Sequence, residues 1–280
     1  MQTHAFDQAI ALTAQGGDHY LGHTSRAYWN MVGPFGGITA ATALNAVLQH
    51  PSLLGEPVSL TVNYASALVQ GPFTITARAA RTNRSTQHWV VEVQQLDADG
   101  AAPHTVLTAT VLTAVRRTTW GVNDTPMPVV PGPDELLPQP PFASMEWVSR
   151  YDIRAVLGAM PHVWDGAVRP EDADSASLTR LWLRDAPLRP LDFCSLAAYA
   201  DVFFPRIYLR RASAVPVGTV SMTVYFHVGN DFLHRCASAP VLGQARGQVF
   251  RDGFFDQNAQ LWSASGELLV TSSQLVYYKH

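Results

Sequence analysis

The carboxylate of Asp201 is the side chain that its local sequence explains least. It lies late in the apolar stretch Leu191–Phe204, where residues such as Leu196 and Ala197 recur at the spacing of a core-facing helix. Asp192, near the start of that predicted helix, is explained as a cap or as a partner of the helix dipole. A negative charge late in a helix instead opposes the helix dipole. Asp201 is therefore either a solvated residue at a fraying helix end or a functional group, and accepting a proton from water is chemistry suited to it.

Other reactive residue types form weaker groupings. His19 and His23 have the i, i+4 spacing of a metal pair, but Gly22 lies between them and a third ligand is not nearby. Cys194 and His227 lack a third member in the local sequence, and a buried cysteine is usually inert packing. The sequence contains neither the G-x-S-x-G of a serine hydrolase nor a phosphate-binding P-loop. We therefore expect neither a metal nor a cofactor.

Composition limits the choice of partners and compartment. The 280 residues are 47% hydrophobic and 15% charged, with a formal net charge of −3. This balance gives no electrostatic reason to expect nucleic acid or an anionic membrane as partner. Two cysteines, no recognisable signal peptide and no run of about 20 apolar residues favour a cytoplasmic protein. The high apolar content is compatible with an apolar ligand channel or with an oligomer interface. We expect a homo-oligomer, a dimer or larger.

A proline-rich segment divides the chain almost in half. The stretch PMPVVPGPDELLPQPP, residues 126–141, holds seven prolines in sixteen residues. Such a sequence can neither continue a helix nor lie inside a sheet, which predicts an exposed, extended connector. We expect one domain over residues 1–125 and a second over residues 142–280.

The same order of elements recurs on both sides of the connector. Predicted helices at Gly37–Gln49 and Leu191–Phe204 each precede four β-like runs. The runs are Pro57–Leu68, Phe73–Thr82, His88–Leu96 and Thr105–Arg116 in the first half, and Val217–Val228, Leu233–Gln244, Phe254–Ala264 and Leu268–Tyr278 in the second. The letters repeat as well, because VSLTVNY at residues 58–64 matches VSMTVYF at residues 220–226. The pattern indicates an internal duplication of an α+β unit, in which an antiparallel sheet wraps an apolar helix.

The second half resembles the acyl-CoA thioesterase II (TesB-like) family. Three segments carry the resemblance: LAAYADVFFP on the predicted helix, VGTVSMTVYFHV on the next strand and GELLVTSSQ on the last strand. The first half resembles the family's first domain more loosely, through GPFGG at residues 33–37 and the strand that follows. The resemblance implies a double hotdog fold, with two tandem hotdog domains that each wrap a long central helix.

The resemblance also implies site residues. The family's water-orienting Asp, Thr and Gln match Asp201, Thr219 and Gln274. Two family residues after the helix Asp, His and Asn, are replaced here by Val202 and Phe203, which puts the preferred acyl group in doubt. The predicted helix Gly37–Gln49 holds no Asp or Glu, so we expect the first half to be catalytically silent.

These observations predict an enzyme that hydrolyses acyl-CoA thioesters to a free acid and CoA. Arg206, Arg210 and Arg211 either contact CoA phosphates or form a solvated basic face. A non-catalytic acyl-thioester binder remains an alternative, because a fold does not imply a function. An enoyl-CoA hydratase or dehydratase is a weaker one, since Ile207 stands where its His would be.

Overall fold

The fold is known from a computed structural model that describes residues 3–96, 100, 102–140, 145–161, 163–169 and 176–279. Within these ranges the α-helices are α1 (Ala5–Ala9), α2 (Gly36–Leu48), α3 (Phe193–Tyr199), α4 (Arg206–Arg210) and α5 (Asn230–Cys236). The strands of the N-terminal half are β1 (Thr13–Gly16), β2 (His19–His23), β3 (Glu56–Tyr64), β4 (Pro72–Thr82), β5 (Thr86–Leu96) and β6 (Pro103–Ala114). Those of the C-terminal half are β7 (Tyr151–Leu157), β8 (Thr179–Asp185), β9 (Val217–Phe226), β10 (Val241–Arg246), β11 (Phe250–Arg251), β12 (Phe254–Trp262) and β13 (Leu268–Tyr278).

The strands form one continuous antiparallel sheet. Its order is β1-β2-β4-β5-β6-β3-β9-β13-β12-β10-β8-β7, and the short β11 pairs with β12. Read from the two outer edges inward, both halves follow the same topology, with β7, β8, β10, β12, β13 and β9 taking the places of β1, β2, β4, β5, β6 and β3. The internal repeat read from the sequence is therefore also a repeat of strand order.

The two halves meet where β3 pairs with β9. Thr61 lies opposite Thr223 in this pairing, and their hydroxyl oxygens are 3.0 Å apart. These two residues are 162 positions apart in the sequence, which is the offset of the repeated letters. An antiparallel pair of equivalent residues places a local twofold axis between them. The edge pairing also covers one edge strand of each half, which would otherwise present unpaired backbone groups.

The central helices differ in length. Helix α2 agrees with its prediction to within one residue at each end, and most of its residues are buried among the strands of its own half. Helix α3 packs against α2 but ends at Tyr199, so the prediction of a long helix to Phe204 is wrong. Val202 and Phe203 are buried without being helical, so the run of apolar residues continues past the end of the helix. Asp192 is the N-cap of α3, as predicted, and accepts a hydrogen bond from the Ser195 backbone N–H at 2.7 Å.

One predicted strand is also wrong. Leu233–Gln244 was expected to be continuous, but its first part belongs to α5 and the strand β10 begins only at Val241. Leu233 is fully buried and contributes to the core from this helix. A buried apolar residue is equally compatible with a helix and with a strand, which is why the sequence did not distinguish the two. The other predicted runs contain strands whose ends shift by a few residues.

The connector packs against the sheet rather than extending freely into solvent. The Trp182 indole N–H donates to the Pro131 carbonyl oxygen at 2.9 Å, and the Trp262 indole N–H donates to the carbonyl oxygen of Thr125, just before the connector, at 2.9 Å. Apolar connector side chains, including Leu136, pack against the apolar cluster that contains these two tryptophans. None of the described connector residues is buried, and Val129, Pro131 and Leu137 are exposed, as predicted, even though the proline-rich backbone offers carbonyl acceptors to the sheet. Pro141, the last residue of the predicted connector, lies outside the described residues.

Candidate active site

A cavity of about 660 Å³ lies where the end of α3 meets the start of α2. Both halves of the chain form its walls. The N-terminal half contributes Asn30, Met31, Val32, Gly33, Pro34, Phe35, Gly36, Tyr64, Ser66 and Ala67. The connector and C-terminal half contribute Gln139, Met145, Trp147, Val148, Ile153, Met160, Leu181, Asp201, Val202, Phe203, Phe204, Pro205, Tyr208, Val217, Gly218, Thr219, Val220, Phe254, Gln257, Gln274, Val276 and Tyr277. The size is that of a pocket for a small molecule.

Asp201 and Gln274 form a direct contact in this cavity. The Gln274 side-chain amide donates to Asp201 Oδ1 at 3.0 Å and to the Ala200 carbonyl oxygen at 3.2 Å. These bonds fix the amide so that its nitrogen faces the carboxylate. Gln274 reaches this position from the core face of β13, where its side chain is almost fully buried. Two of the three residues implied by the family resemblance are thus joined by a hydrogen bond.

The second partner of Asp201 comes from the other half of the chain. The backbone N–H of Gly37, in the first turn of α2, donates to the Asp201 carboxylate. Asp201 itself lies in the turn immediately after α3 rather than inside a helix, so the negative end of α3 still disfavours its charge, as the sequence suggested. It also lies at the positive end of α2, where a carboxylate is electrostatically favoured.

The protonation of Asp201 is set mainly by burial. Desolvation of the carboxylate raises its pKa to about 7, while the hydrogen bonds from Gln274 and the Gly37 N–H oppose this rise. Burial disfavours the charged form, and the two donors stabilise it. Near neutral pH, Asp201 is therefore poised to accept and release a proton, as a general base requires.

Thr219 lines the same cavity because β9 contains a bulge. Gln274 pairs with Met222, but two residues further on Val276 pairs with Thr219, so Val220 is the extra residue. The extra residue shifts the alternation of the strand and turns Thr219 to the face that carries Gln274. Within the described residues, Thr219 makes no hydrogen bond to Asp201 or Gln274. Its hydroxyl is instead available to a molecule in the cavity.

The cavity wall is apolar apart from a few groups. Asp201 is the one charged side chain among the described lining residues. Phe35 and Trp147 stack with ring centroids 4.3 Å apart, and Phe203 packs over Gly243, where a Cβ would approach its ring to 2.8 Å. Such a surface favours an apolar chain, and its low polarity strengthens hydrogen bonds at Asp201.

The symmetry-related positions of the N-terminal half are apolar. Leu60 is the counterpart of Met222, and its partner on β6 is Val111, which therefore corresponds to Gln274. A bulge recurs at Val58, and beyond it Pro57 takes the place of Thr219. Neither Pro57 nor Val111 can orient a water through a side-chain hydrogen bond.

Gly36, Tyr64 and Gln257 lie close to the predicted residues but were not themselves predicted as site residues. Gly36 contacts Asp201 and accepts a hydrogen bond from the Tyr64 hydroxyl at 3.0 Å through its carbonyl oxygen. The GPFGG turn and the alternation ending in Tyr64 were visible in the sequence, but the close approach of Gly36 to Asp201 in the other half was not. Gln257 lies opposite Gln274 on β12, and nothing in its local sequence separates it from an ordinary polar strand residue.

The weaker groupings do not assemble into sites. His19 Nδ1 pairs with the Thr76 hydroxyl, His23 Nδ1 pairs with the Thr24 carbonyl oxygen, and His227 Nε2 pairs with the Thr271 hydroxyl. Among the described residues no three His, Cys, Asp or Glu side chains form a metal-binding group. Burial raises the pKa of the Cys194 thiol well above its usual value, which disfavours the thiolate.

Arg206 fits neither interpretation of the arginine cluster. It is fully buried and donates to the Thr179 hydroxyl at 2.6 Å and to the Phe204 carbonyl oxygen at 3.0 Å. It therefore holds the segment after Asp201 in place and is not part of a solvated surface or a phosphate site.

Comparisons with known proteins agree with this architecture. The model of the acyl-CoA thioesterase C-terminal domain matches residues 125–278, and that of the N-terminal domain matches residues 25–114. A hot dog fold protein of unknown function from Alicyclobacillus acidocaldarius has 41% identity and a TM-score of 0.89, over 100% of this chain and 99% of its own. An acyl-CoA thioesterase II from Mycobacterium marinum has 17% identity and a TM-score of 0.76, over 98% of each chain, and supports the fold alone. No curated protein sequence matches the chain.

The C-terminal domain model alone covers more than half of the sequence. The chain therefore belongs to the acyl-CoA thioesterase family and is a thioester hydrolase with a hotdog-type fold. No helix within the described ranges is long and apolar enough to cross a membrane.

Proposed function

We propose that this protein is a double hotdog acyl-CoA thioesterase in which Asp201, Gln274 and Thr219 activate one water molecule. The observation that carries the proposal is the Asp201 carboxylate, with a raised pKa, held by Gln274 and by the start of α2 in an apolar cavity. This arrangement supplies a base, an orienting amide and a dry binding surface in one place.

The chemistry follows from the positions of these groups. A water in contact with Asp201 attacks the thioester carbonyl carbon while its proton passes to the carboxylate. The C–S bond then breaks, the acyl group leaves as a free acid, and the thiolate of CoA takes a proton to become the thiol. The Thr219 hydroxyl holds the water's orientation without adding charge, and the Gln274 amide holds the carboxylate. A covalent intermediate is not required, because a thioester carbonyl is already electrophilic.

The start of α2 is the proposed source of the N–H group that stabilises the oxyanion, the negative charge that develops on the thioester carbonyl oxygen. The first N–H groups of a helix lack partners within the helix. Gly37 uses its N–H on Asp201, whereas Gly36 lines the cavity immediately before it. The Gly36 N–H is the group that we propose for the negative charge that develops on the carbonyl oxygen.

The two halves then have different roles. Residues 142–280 carry the side chains that act on water, and residues 1–125 contribute cavity walls and the N-terminus of α2. The apolar counterparts Pro57 and Val111 support a single site per chain. The described cavity wall also holds no histidine, so it does not favour the acid–base pair of a hydratase.

Release of free thiol tests the proposal. The protein is incubated with octanoyl-CoA or palmitoyl-CoA, and CoA is detected with a thiol-reactive dye. We expect turnover that depends on enzyme concentration and is lost in Asp201→Asn. Tight binding of either thioester without thiol release would instead support the non-catalytic binder.

A further inference from the structure

Gln257 is a buried polar side chain that the proposed reaction does not use. It lies on the core face of β12, its Cα is paired with that of Gln274 on β13, and it is 2% exposed. Its side chain lines the cavity. Within the described part of the chain, no hydrogen bond to this side chain is formed.

A buried side-chain amide such as that of Gln257 needs a hydrogen-bond partner. A glutamine side chain offers two N–H donors and a carbonyl acceptor. Buried polar groups are nearly always hydrogen-bonded, and leaving one unpaired costs free energy. Because Gln257 lines the cavity and the surrounding wall is mostly apolar, a molecule that occupies the cavity can supply this partner.

The sheet register locates this partner relative to the reacting carbonyl. Gln274 marks the reaction centre through its bond to Asp201. Side chains directly opposite on neighbouring strands lie roughly 5 Å apart at Cβ. Thr219 and the bulge are on β9, on one side of Gln274, and Gln257 is on β12, on the other. Gln257 therefore faces a part of the substrate a few atoms from the carbonyl.

The two ends of the substrate differ in how deeply they can enter the cavity. Met31 and Val32 line the cavity at its solvent-exposed rim, with exposures of 56% and 79%. The large, charged CoA group has to remain at such a rim, whereas the acyl chain enters the buried part. Gln257 lies in the buried part.

We propose that Gln257 is a specificity residue that hydrogen-bonds an oxygen on the acyl chain. The favoured substrates are then thioesters of 3-hydroxyacyl or 3-oxoacyl groups, in preference to plain saturated acyl groups of the same length. This inference rests on the proposed function of the same cavity and names its substrate class. The amides of the pantetheine arm offer the same hydrogen-bonding chemistry, so the test has to separate the two sources.

The test compares two substrates that differ in one oxygen. Hexanoyl-CoA and 3-hydroxyhexanoyl-CoA, the latter as both enantiomers, are assayed with the native protein and with Gln257→Leu. Gln260→Leu, on the same strand but on the opposite face, is the matched control. One neutral hydrogen bond corresponds to about a 2- to 13-fold effect. We expect the native protein to favour one enantiomer of the 3-hydroxy substrate by about this factor in kcat/KM. Gln257→Leu should bring the ratio of kcat/KM for the 3-hydroxy and saturated substrates close to one, whereas Gln260→Leu should keep the native ratio.

Two results would overturn the inference. An equal loss on both substrates would assign Gln257 to the pantetheine arm, which the two share. A substrate ratio that is the same in native protein and Gln257→Leu would show that Gln257 does not contact the acyl oxygen.

The inference remains testable if the proposed function fails. Should neither substrate be hydrolysed, calorimetry of the two intact thioesters binding to native protein and to Gln257→Leu gives the same comparison as a ratio of Kd values. A preference that disappears in the variant would then support the inference, and an unchanged ratio would overturn it.

Discussion

Gly36 and Asp201 belong to different halves of the chain, yet a Cβ placed on Gly36 would lie 2.7 Å from Asp201 Oδ2. The contact makes the site a product of both halves. It also explains why a residue without a side chain begins α2, since any larger residue would displace the carboxylate.

This contact predicts that Gly36→Ala lowers activity. The added methyl group pushes the Asp201 carboxylate from its position, and a misplacement of about 1 Å can cost on the order of 100-fold in rate. Gly218→Ala is the matched control, because Gly218 lines the same cavity but its Cβ would meet no atom within 4 Å. We expect kcat to fall in the first variant and to stay within a few-fold in the second. Equal kcat values in both would show that the close approach of Gly36 has no role in catalysis.

Asp201→Asn should lower kcat by roughly 10²- to 10⁴-fold, the usual contribution of a general base. The variant keeps the shape of the side chain, so KM should change little. Asp231→Asn, on the exposed surface of α5, controls for the loss of one negative charge. Steady-state kinetics with the thiol assay measures both, and near-normal kcat in Asp201→Asn would remove this residue from the mechanism.

The three proposed site residues should act as a unit. Thr219→Ala and Gln274→Ala should each reduce kcat less than Asp201→Asn, because they orient groups rather than accept the proton. Adding either substitution to Asp201→Asn should cost little more, since all three act on one water. Free energies of activation that simply add across the double variants would contradict a common site.

The pH dependence of kcat/KM should report the ionisation of Asp201. Because burial raises its pKa to about 7, activity should fall about tenfold per pH unit below that value as the base becomes protonated. Gln274→Ala removes a donor that lowers this pKa, so its acidic limb should move to higher pH. A limb that stays in place would show that the amide does not act on the carboxylate.

Asp185 should limit stability at alkaline pH. Burial raises its pKa from 3.8 to about 7, and nearby Arg189 only partly opposes the shift. A carboxyl whose pKa is higher in the folded state contributes its full stability below about pH 4, where it is protonated in both states. That contribution is lost as the pH rises through about 7 and the folded protein has to bury the charged form. Asp185→Asn should therefore raise the free energy of unfolding at pH 8 by about 1–4 kcal/mol. At pH 4 the gain should vanish, as denaturant titrations at the two pH values would show.

Sequence patterns predicted the helices and strands that are determined by residues a few positions apart. Examples are the Ala- and Leu-rich run of α2 and the alternation of apolar and polar residues in β3. The prediction of a strand at Leu233 was wrong because a buried apolar residue fits a helix and a strand equally. The end of α3 was missed because Val202 and Phe203 stay buried after the helix stops.

The candidate site was predictable only in part. Asp201 and Gln274 carried the family resemblance, and the structure joins them. The bulge at Val220 and the place of Gly37 beside Asp201 arise from pairing between distant segments, which no periodicity records. Gln257 became visible only when the register placed it opposite Gln274.

The docked connector restricts how copies of this protein can assemble. Trp182 donates its indole N–H group to the connector and Trp262 donates to Thr125 just before it, so part of the outer surface of β8 and β12 is already occupied by the chain itself. Stacking of a second sheet on that surface would first require the connector to detach.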